Sequence, residues 1–303
     1  MIDLLTLFAN NILPIFLAAG SGYLLSKYLK VIPRTISQVG FYIFSPCLVF
    51  MLLTNSQLSG SAILQMSAFT VVSMLAVGML AWLLGRLLRL ERRMLVAVIM
   101  GAMFGNSGNF GLSMNMFAFG ETALAHASVY FVTSAMLTYT VGVVLASLGK
   151  SGLKEAVVGL FKVPGMYAVI VAMIFNGYGW KLPLPLDRTV TLLGNAAIPI
   201  LMVLIGVQLE RAKWDGQPVA LGLTNIMRLV VAPVVAVGFT LLFGLRGAAL
   251  QAAISESGTP TAVLMTVLAT EYDVEPSFVT TAVFTSTLLS PLTLTPLLAM
   301  LGA

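Results

Sequence analysis

The chain has 303 residues, 59% of them hydrophobic and 9% charged, with a net charge of +5. Charged residues make up about a quarter of an ordinary soluble domain, and mean hydropathy here is +1.00, so the composition excludes a soluble globular protein and indicates an all-α polytopic membrane protein. Cys47 is the single cysteine, which excludes an intrachain disulfide and a cysteine-rich metal site.

A membrane-spanning helix needs about 20 apolar residues. Charge clusters and turn residues divide the chain into ten such stretches: Leu4–Ser26, Ile36–Asn55, Ala62–Leu88, Met94–Ala118, Ala123–Leu148, Pro164–Trp180, Val190–Leu209, Val219–Phe243, Gly247–Thr270 and Phe278–Leu301. The opening MIDLLTLF has no basic residue, so the first stretch is expected to be a retained helix and not a signal peptide. Basic residues are placed unevenly. Twelve fall in the loops that follow spans 1, 3, 5 and 7: Lys27, Lys30, Arg34, Arg86, Arg89, Arg92, Arg93, Lys150, Lys154, Lys162, Arg211 and Lys213. Lys181, Arg188 and Arg246 fall on the other side, and Arg228 lies inside span 8. The basic side is expected in the cytoplasm, which puts both termini outside the cell (inner) membrane.

The two halves echo one another. SGNFGLSMNMFAFGE at 107–121 lies over SGTPTAVLMTVLATE at 257–271, Thr133-Ser134 over Thr285-Ser286, ASLG at 146–149 over AMLG at 299–302, and Pro46 over Pro199. The offset stays near 150 residues. Each half has an odd number of spans, so the second enters the membrane inverted, an architecture of secondary transporters. The expected organisation is a first five-span repeat at 1–150, a short cytoplasmic linker at 151–162 and an inverted second repeat at 163–303.

Polar residues inside spans point to the site. Asn106, about 20 Å along its helix from Arg93, and Glu256, about 15 Å from Arg246, are equivalent positions near the midplane. Gly105, Gly108 and Gly111 in span 4, and Gly258 and Pro260 in span 9, weaken helical hydrogen bonding at that depth; Pro46 and Pro199 are further candidate breaks. Broken helix inside a membrane is tolerated where it is buried or lines a cavity. Half-helix N-termini there offer free N–H groups and a positive dipole end, which suit anions. The alternatives are close helix packing for the glycines, as in Gly101-x-x-x-Gly105, and simple interhelical hydrogen bonds for Asn106 and Asn109. Arg228 is either a fixed cation for an anionic solute, a mate for Glu256, or a snorkelling side chain. Glu256 is either a proton carrier or half of a static ion pair. His126, the single histidine, reads better as an interfacial residue than as a relay.

Gly105-Asn106-Ser107-Gly108 also fits the G-x-S-G pattern of intramembrane serine proteases. That needs a base within reach of Ser107; His126 lies 19 residues away across a loop and no lysine lies mid-span. A P-loop is absent, so nothing supports ATP-driven transport by this chain alone.

FGNSGNFGL, MRLVVAP with Arg228 five before Pro233, Pro260, and above all LATEYDVEPSFVTTAVF at 268–284 resemble the auxin efflux carrier family over the whole chain. Phe110 stands opposite Pro260, so glycines must do the breaking in span 4. The resemblance implies ten spans with crossed spans 4 and 9. It also implies an elevator-like motion of a transport domain (spans 3–5 and 8–10) against a scaffold (spans 1–2 and 6–7), and a homodimer formed through the scaffold. The fold also looks distantly similar to the sodium-coupled bile acid carriers, although Gly101 stands where those have a sodium-binding glutamate.

The expected function is therefore secondary active transport of small organic anions, either auxin-like or dicarboxylate. Asn106, Ser107, Gly108, Asn109, Gly258, Thr259, Pro260 and Arg228 form the substrate site, and Glu256, Asn109, Thr133 and Ser134 are ion-coupling candidates. No cofactor or metal is expected; proton coupling is favoured and sodium is the alternative. Nucleic acid is not an expected partner. The competing readings are a sodium-coupled bile-acid-like symporter, a non-transporting membrane solute sensor and, third, a channel.

Overall fold

The structure, a computed structural model, describes residues 4–29, 31–56, 58–147, 158, 161, 163–210 and 217–303. The expected linker at 151–162, apart from positions 158 and 161, lies outside the described residues. So do Lys30, Lys150, Lys154, Lys162, Arg211 and Lys213.

The described residues form helices and no strand. In chain order these are α1 (Leu4–Tyr28), α2 (Pro33–Asn55), α3 (Gly60–Leu87), α4 (Arg92–Met103), α5 (Ser107–Ala146), α6 (Pro164–Tyr178), α7 (Leu184–Leu209), α8 (Pro218–Phe243), α9 (Gly247–Ser257), α10 (Leu264–Glu271) and α11 (Pro276–Met300). Seven of them (α1, α2, α3, α5, α7, α8 and α11) are long and apolar enough to cross a membrane. The protein is thus a multi-pass membrane protein. Its many Ser and Thr side chains bond back to their own helix, as Thr70 does to Met66 O and Thr224 to Ala220 O, which removes the cost of an unpaired hydroxyl in a dry surround.

Three departures from the expected spans stand out, and two have a local cause. α5 runs through the boundary expected between spans 4 and 5, and its one irregular residue is Gly120 at φ 74°, ψ −167°. A residue without a Cβ takes that conformation freely, so a single glycine kinks the chain where a longer loop was expected. Pro46 and Pro199 do not break their helices. α7 passes through Pro199 uninterrupted, and Pro46 follows a π-turn at Gly40–Phe44 inside α2. The widened turn relieves the clash between the proline ring and the preceding carbonyls. Pro14 and Pro233 follow π-turns at Phe8–Ile12 and Met227–Val231 in the same way.

α7 is the hub of one layer. A Cβ on Gly206 would collide with Ala19 O of α1, one on Gly22 with Val203 O of α7, and one on Gly194 would come within 3.2 Å of the Leu48 backbone of α2. These helices therefore touch backbone to backbone, the contact that small residues permit in membranes. Asn176 Nδ2 of α6 donates to Leu53 O of α2 at 3.0 Å, tying α6 to the same layer. The remaining helices pack around the two interrupted runs, α4–α5 and α9–α10. At one end Arg93 pairs with Asp273 at 2.6 Å, fastening the start of α4 to the loop after α10.

Candidate functional site

Both interruptions lie where weak helix formers were noted, and they meet. The first covers Phe104–Asn106, between α4 and α5; the second covers residues 258–263, between α9 and α10. Gly105 and Thr261 form an antiparallel bridge. Asn106 N–H donates to Pro260 O at 2.7 Å and Ala262 N–H to Phe104 O at 2.8 Å. Two extended segments thus satisfy each other's backbone in the interior, as a break inside a membrane requires.

The carbonyls that each helix end exposes are also accounted for. Of the last carbonyls of α4, Met100 O accepts from Phe104 N–H at 3.2 Å, and Gly101 O accepts from Thr261 Oγ1 at 2.8 Å. Ala102 O and Met103 O accept from Arg228 Nη1 at 3.1 and 3.2 Å. At the end of α9, Glu256 O accepts from Thr259 Oγ1 at 2.7 Å. Arg228 Nη2 donates to Ser257 O, and Arg228 Nε to Thr259 O at 2.8 Å. Thr261 N–H is held by Ser286 Oγ at 3.0 Å.

Arg228 is 2% exposed and sits where the negative dipole ends of α4 and α9 converge. It forms no ion pair with Glu256; its Nε, Nη1 and Nη2 go to carbonyl oxygens. It does not snorkel either; its charge is matched by four carbonyls drawn from both broken runs. Gly105 leaves room for it, since a Cβ there would come within 2.6 Å of Thr259 Oγ1 and 3.0 Å of Arg228 Cζ.

The helix beginnings differ from each other. In α5 the first bonded amides are those of Phe110 and Gly111, both donating to Asn106 O. The N–H groups of Ser107, Gly108 and Asn109 precede them and are the open donors of a helix N-terminus. In the second break Thr261 and Ala262 have already given their N–H groups to Ser286 Oγ and Phe104 O. Asn106 itself is 5% exposed, and its Nδ2 is buried without a hydrogen-bond partner. Asn109 is half-buried.

Gly108 and Gly111 do not break the helix; both lie within a π-turn at Ser107–Gly111. They are small because other groups cover them. Phe131 would stand 2.6 Å from a Cβ on Gly108, and the Glu256 carboxylate occupies the space a Cβ on Gly111 would take. Glu256 is fully buried. Its Oε1 accepts from Asn115 Nδ2 at 3.1 Å, and its Oε2 has no partner. Thr133 donates to Val129 O and to Ser67 Oγ at 3.1 Å, and Ser134 is buried. Neither hydrogen-bonds Glu256 or Asn109. His126 is buried, and its Nδ1 has no hydrogen-bond partner.

Asn115, Ser255, Thr261 and Ser286 escaped the sequence reading. A sequence signal existed for Asn115, which lies one turn beyond Gly111 on the same helix face. Gly101 is also explained: a Cβ there would come within 2.7 Å of Thr224 Cγ2, so no longer side chain fits.

A family model described as membrane transport protein matches residues 7–298. The chain belongs to this family, that of the auxin efflux carriers. Members similar to it include an uncharacterized transporter of Methanothermobacter thermautotrophicus, 27% identical over 93% of this chain and 94% of that protein. A putative malonate transporter of Rhizobium meliloti is 28% identical over 65% of this chain and 64% of that protein. Auxin efflux carrier component 6 of Arabidopsis thaliana is 24% identical over 46% of this chain and 27% of that protein. The protein is a membrane transporter and not an enzyme.

Proposed function

We propose that the protein is a secondary active transporter of small carboxylates, working by alternating access of an elevator type. The observation that carries this reading is the unpartnered, buried Asn106 Nδ2 beside the open N–H groups of Ser107, Gly108 and Asn109. A carboxylate seated there would take a side-chain donor, main-chain donors and a positive dipole end together. Thr259, Pro260 and Arg228 hold the crossing that presents those donors, and Gly258 gives the turn its close approach to α11. Arg228 adds positive field without lending its own N–H groups.

Taking α4 with the arm of α5 before Gly120 as one span, the arm after it as another, and α9 with α10 as one, the chain has ten spans in two inverted repeats. Both termini then face outside the cell membrane. The layer built on α1, α2, α6 and α7 is the scaffold and the site of homodimer contact; the rest moves with the substrate. Glu256 carries the coupling proton. Gly111 packs flat against its carboxylate, and an amide donor already occupies Oε1, surroundings that suit a proton better than a sodium ion needing several oxygens.

The test is thermal unfolding of the purified protein with malonate, an aromatic monocarboxylate and an uncharged control, at acidic and neutral pH, with and without sodium. A ligand that binds the folded state raises the melting point. Stabilisation by a carboxylate, lost in Asn106→Ala and stronger in acid, is expected. A response that requires sodium would replace the proton with sodium, and no response to any acid would remove the anion reading.

A further inference from the structure

Glu256 does not meet the substrate turn alone. Asn115 Nδ2 donates both to Glu256 Oε1 at 3.1 Å and to Gly111 O at 2.9 Å. Ser255 Oγ donates to Asn115 Oδ1 at 3.0 Å. An amide in a buried site can be turned either way unless its neighbours decide. Here Gly111 O, which can only accept, and the Glu256 carboxylate decide it, and the Ser255 hydroxyl, also 3.3 Å from Ala252 O, completes the other side. The amide is therefore locked with its NH2 toward the carboxylate, and all three residues are buried.

We propose that Asn115 is the positioning residue for a proton on Glu256 and ties the charge of that carboxyl to the turn that holds the substrate. Asn115 occupies Oε1, which leaves Oε2, the oxygen without a partner, as the atom that takes the proton. One hydronium gives its proton to Oε2, a water molecule is released, and the carboxylate becomes a neutral acid. An ionised Oε1 accepts more strongly than a neutral one, so losing the charge weakens its hold on the amide. The same nitrogen holds Gly111 O, the last residue of the π-turn that begins at Ser107. The charge on Glu256 and the donors at Ser107, Gly108 and Asn109 are then linked through two hydrogen bonds.

Other charged and titratable groups do not take this role. The elements packed on α9 are α3, α5, α8 and α11. α11 has no such group, and α3 has Arg86 near its far end. α8 brings Arg228, which reaches Ser257 O and not the carboxyl. α5 brings Glu121, His126, Tyr130 and Tyr139. Of these, Tyr130 contacts Ser257 Oγ at 3.3 Å, and none hydrogen-bonds Glu256.

This inference rests on the proton-coupled reading above, and its test needs no substrate. Infrared difference spectra of the full-length protein in lipid, between about pH 5 and about pH 8, should show a protonated carboxyl band that is absent in Glu256→Gln. In Asn115→Leu the C=O of that acid loses its donor, and the band is expected to move to higher wavenumber. Ser255→Ala keeps Asn115 but frees its amide, so it should broaden the band and move it the same way by less; it serves if Asn115→Leu does not fold. A band that stays in place in the variants overturns the role of Asn115. No Glu256 band in the wild type overturns the proton site. Failure of the carboxylate reading is a separate result: no carboxylate would stabilise the wild type, while the band and its shift would persist.

Discussion

Gly111 and Glu256 share one volume: the carboxylate lies where any side chain at position 111 would begin. A glycine in the π-turn at Ser107–Gly111 and an acid on another helix are thereby a matched pair. Gly111→Ala is expected to cost about 1–3 kcal/mol, the range for overpacking a filled interior. In a Glu256→Ala background the same change should cost much less. A double-mutant cycle by thermal unfolding checks this, and additive effects would deny the contact.

Arg228 should tolerate no other cation. Four carbonyls are met by Nε, Nη1 and Nη2 spread across a planar fork, and a lysine ammonium places three donors at one point. Arg228→Lys is expected to lose at least about 2 kcal/mol, since hydrogen bonds to charged groups contribute about 1.5–3 kcal/mol each. Unfolding in detergent, with and without lipid, measures it; wild-type stability in the lysine variant would reject the carbonyl account.

Asn106 should behave in the opposite manner. Its Nδ2 bonds nothing in the protein, so Asn106→Ala sacrifices no donor bond and should leave the melting point nearly unchanged. Carboxylate binding should fall about tenfold or more, the equivalent of about 1.4 kcal/mol for one lost bond to a charged group. Titration of malonate against the two proteins separates the outcomes. A large drop in stability with intact binding would mean that Asn106 is structural.

Gly206 decides whether α1 and α7 can touch. Gly206→Leu must push the two backbones apart, because even a Cβ collides with Ala19 O. The expected result is a loss of well over about 3 kcal/mol, beyond ordinary overpacking, seen as lost monodisperse yield. Gly222, with nothing within 4 Å of its Cβ position, is the control and should accept alanine.

Sidedness has its own test. Arg93 and Asp273 are joined, so both must lie on the same face of the membrane. With Cys47 replaced, single cysteines at Asp273 and at Trp180 should be labelled by a membrane-impermeant thiol reagent from opposite sides, Asp273 from the cytoplasm. Labelling of both from one side would overturn the proposed topology.

Hydropathy and the placement of Gly105 and Pro260 were enough to read a helical membrane protein and its interrupted runs from the chain alone, and the resemblance carried by FGNSGNFGL, MRLVVAP and LATEYDVEPSFVTTAVF gave its family. Those are properties of single helices: a span is apolar, and a break is made of residues that fail to continue one. Which group meets each break depends on residues far apart in the chain. Arg228 could be named as a buried cation, but its four carbonyls come from α4 and α9, and their convergence follows from packing. The partner of Asn115 was missed for the same reason: its place one turn beyond Gly111 was legible, but not that a glutamate 141 positions away accepts from it. Pro199 was expected to interrupt a helix that in fact runs through it. Local sequence carries local preference and the cost of leaving the bilayer; the pairing of buried polar groups is settled where helices meet, because only there can each donor find its acceptor.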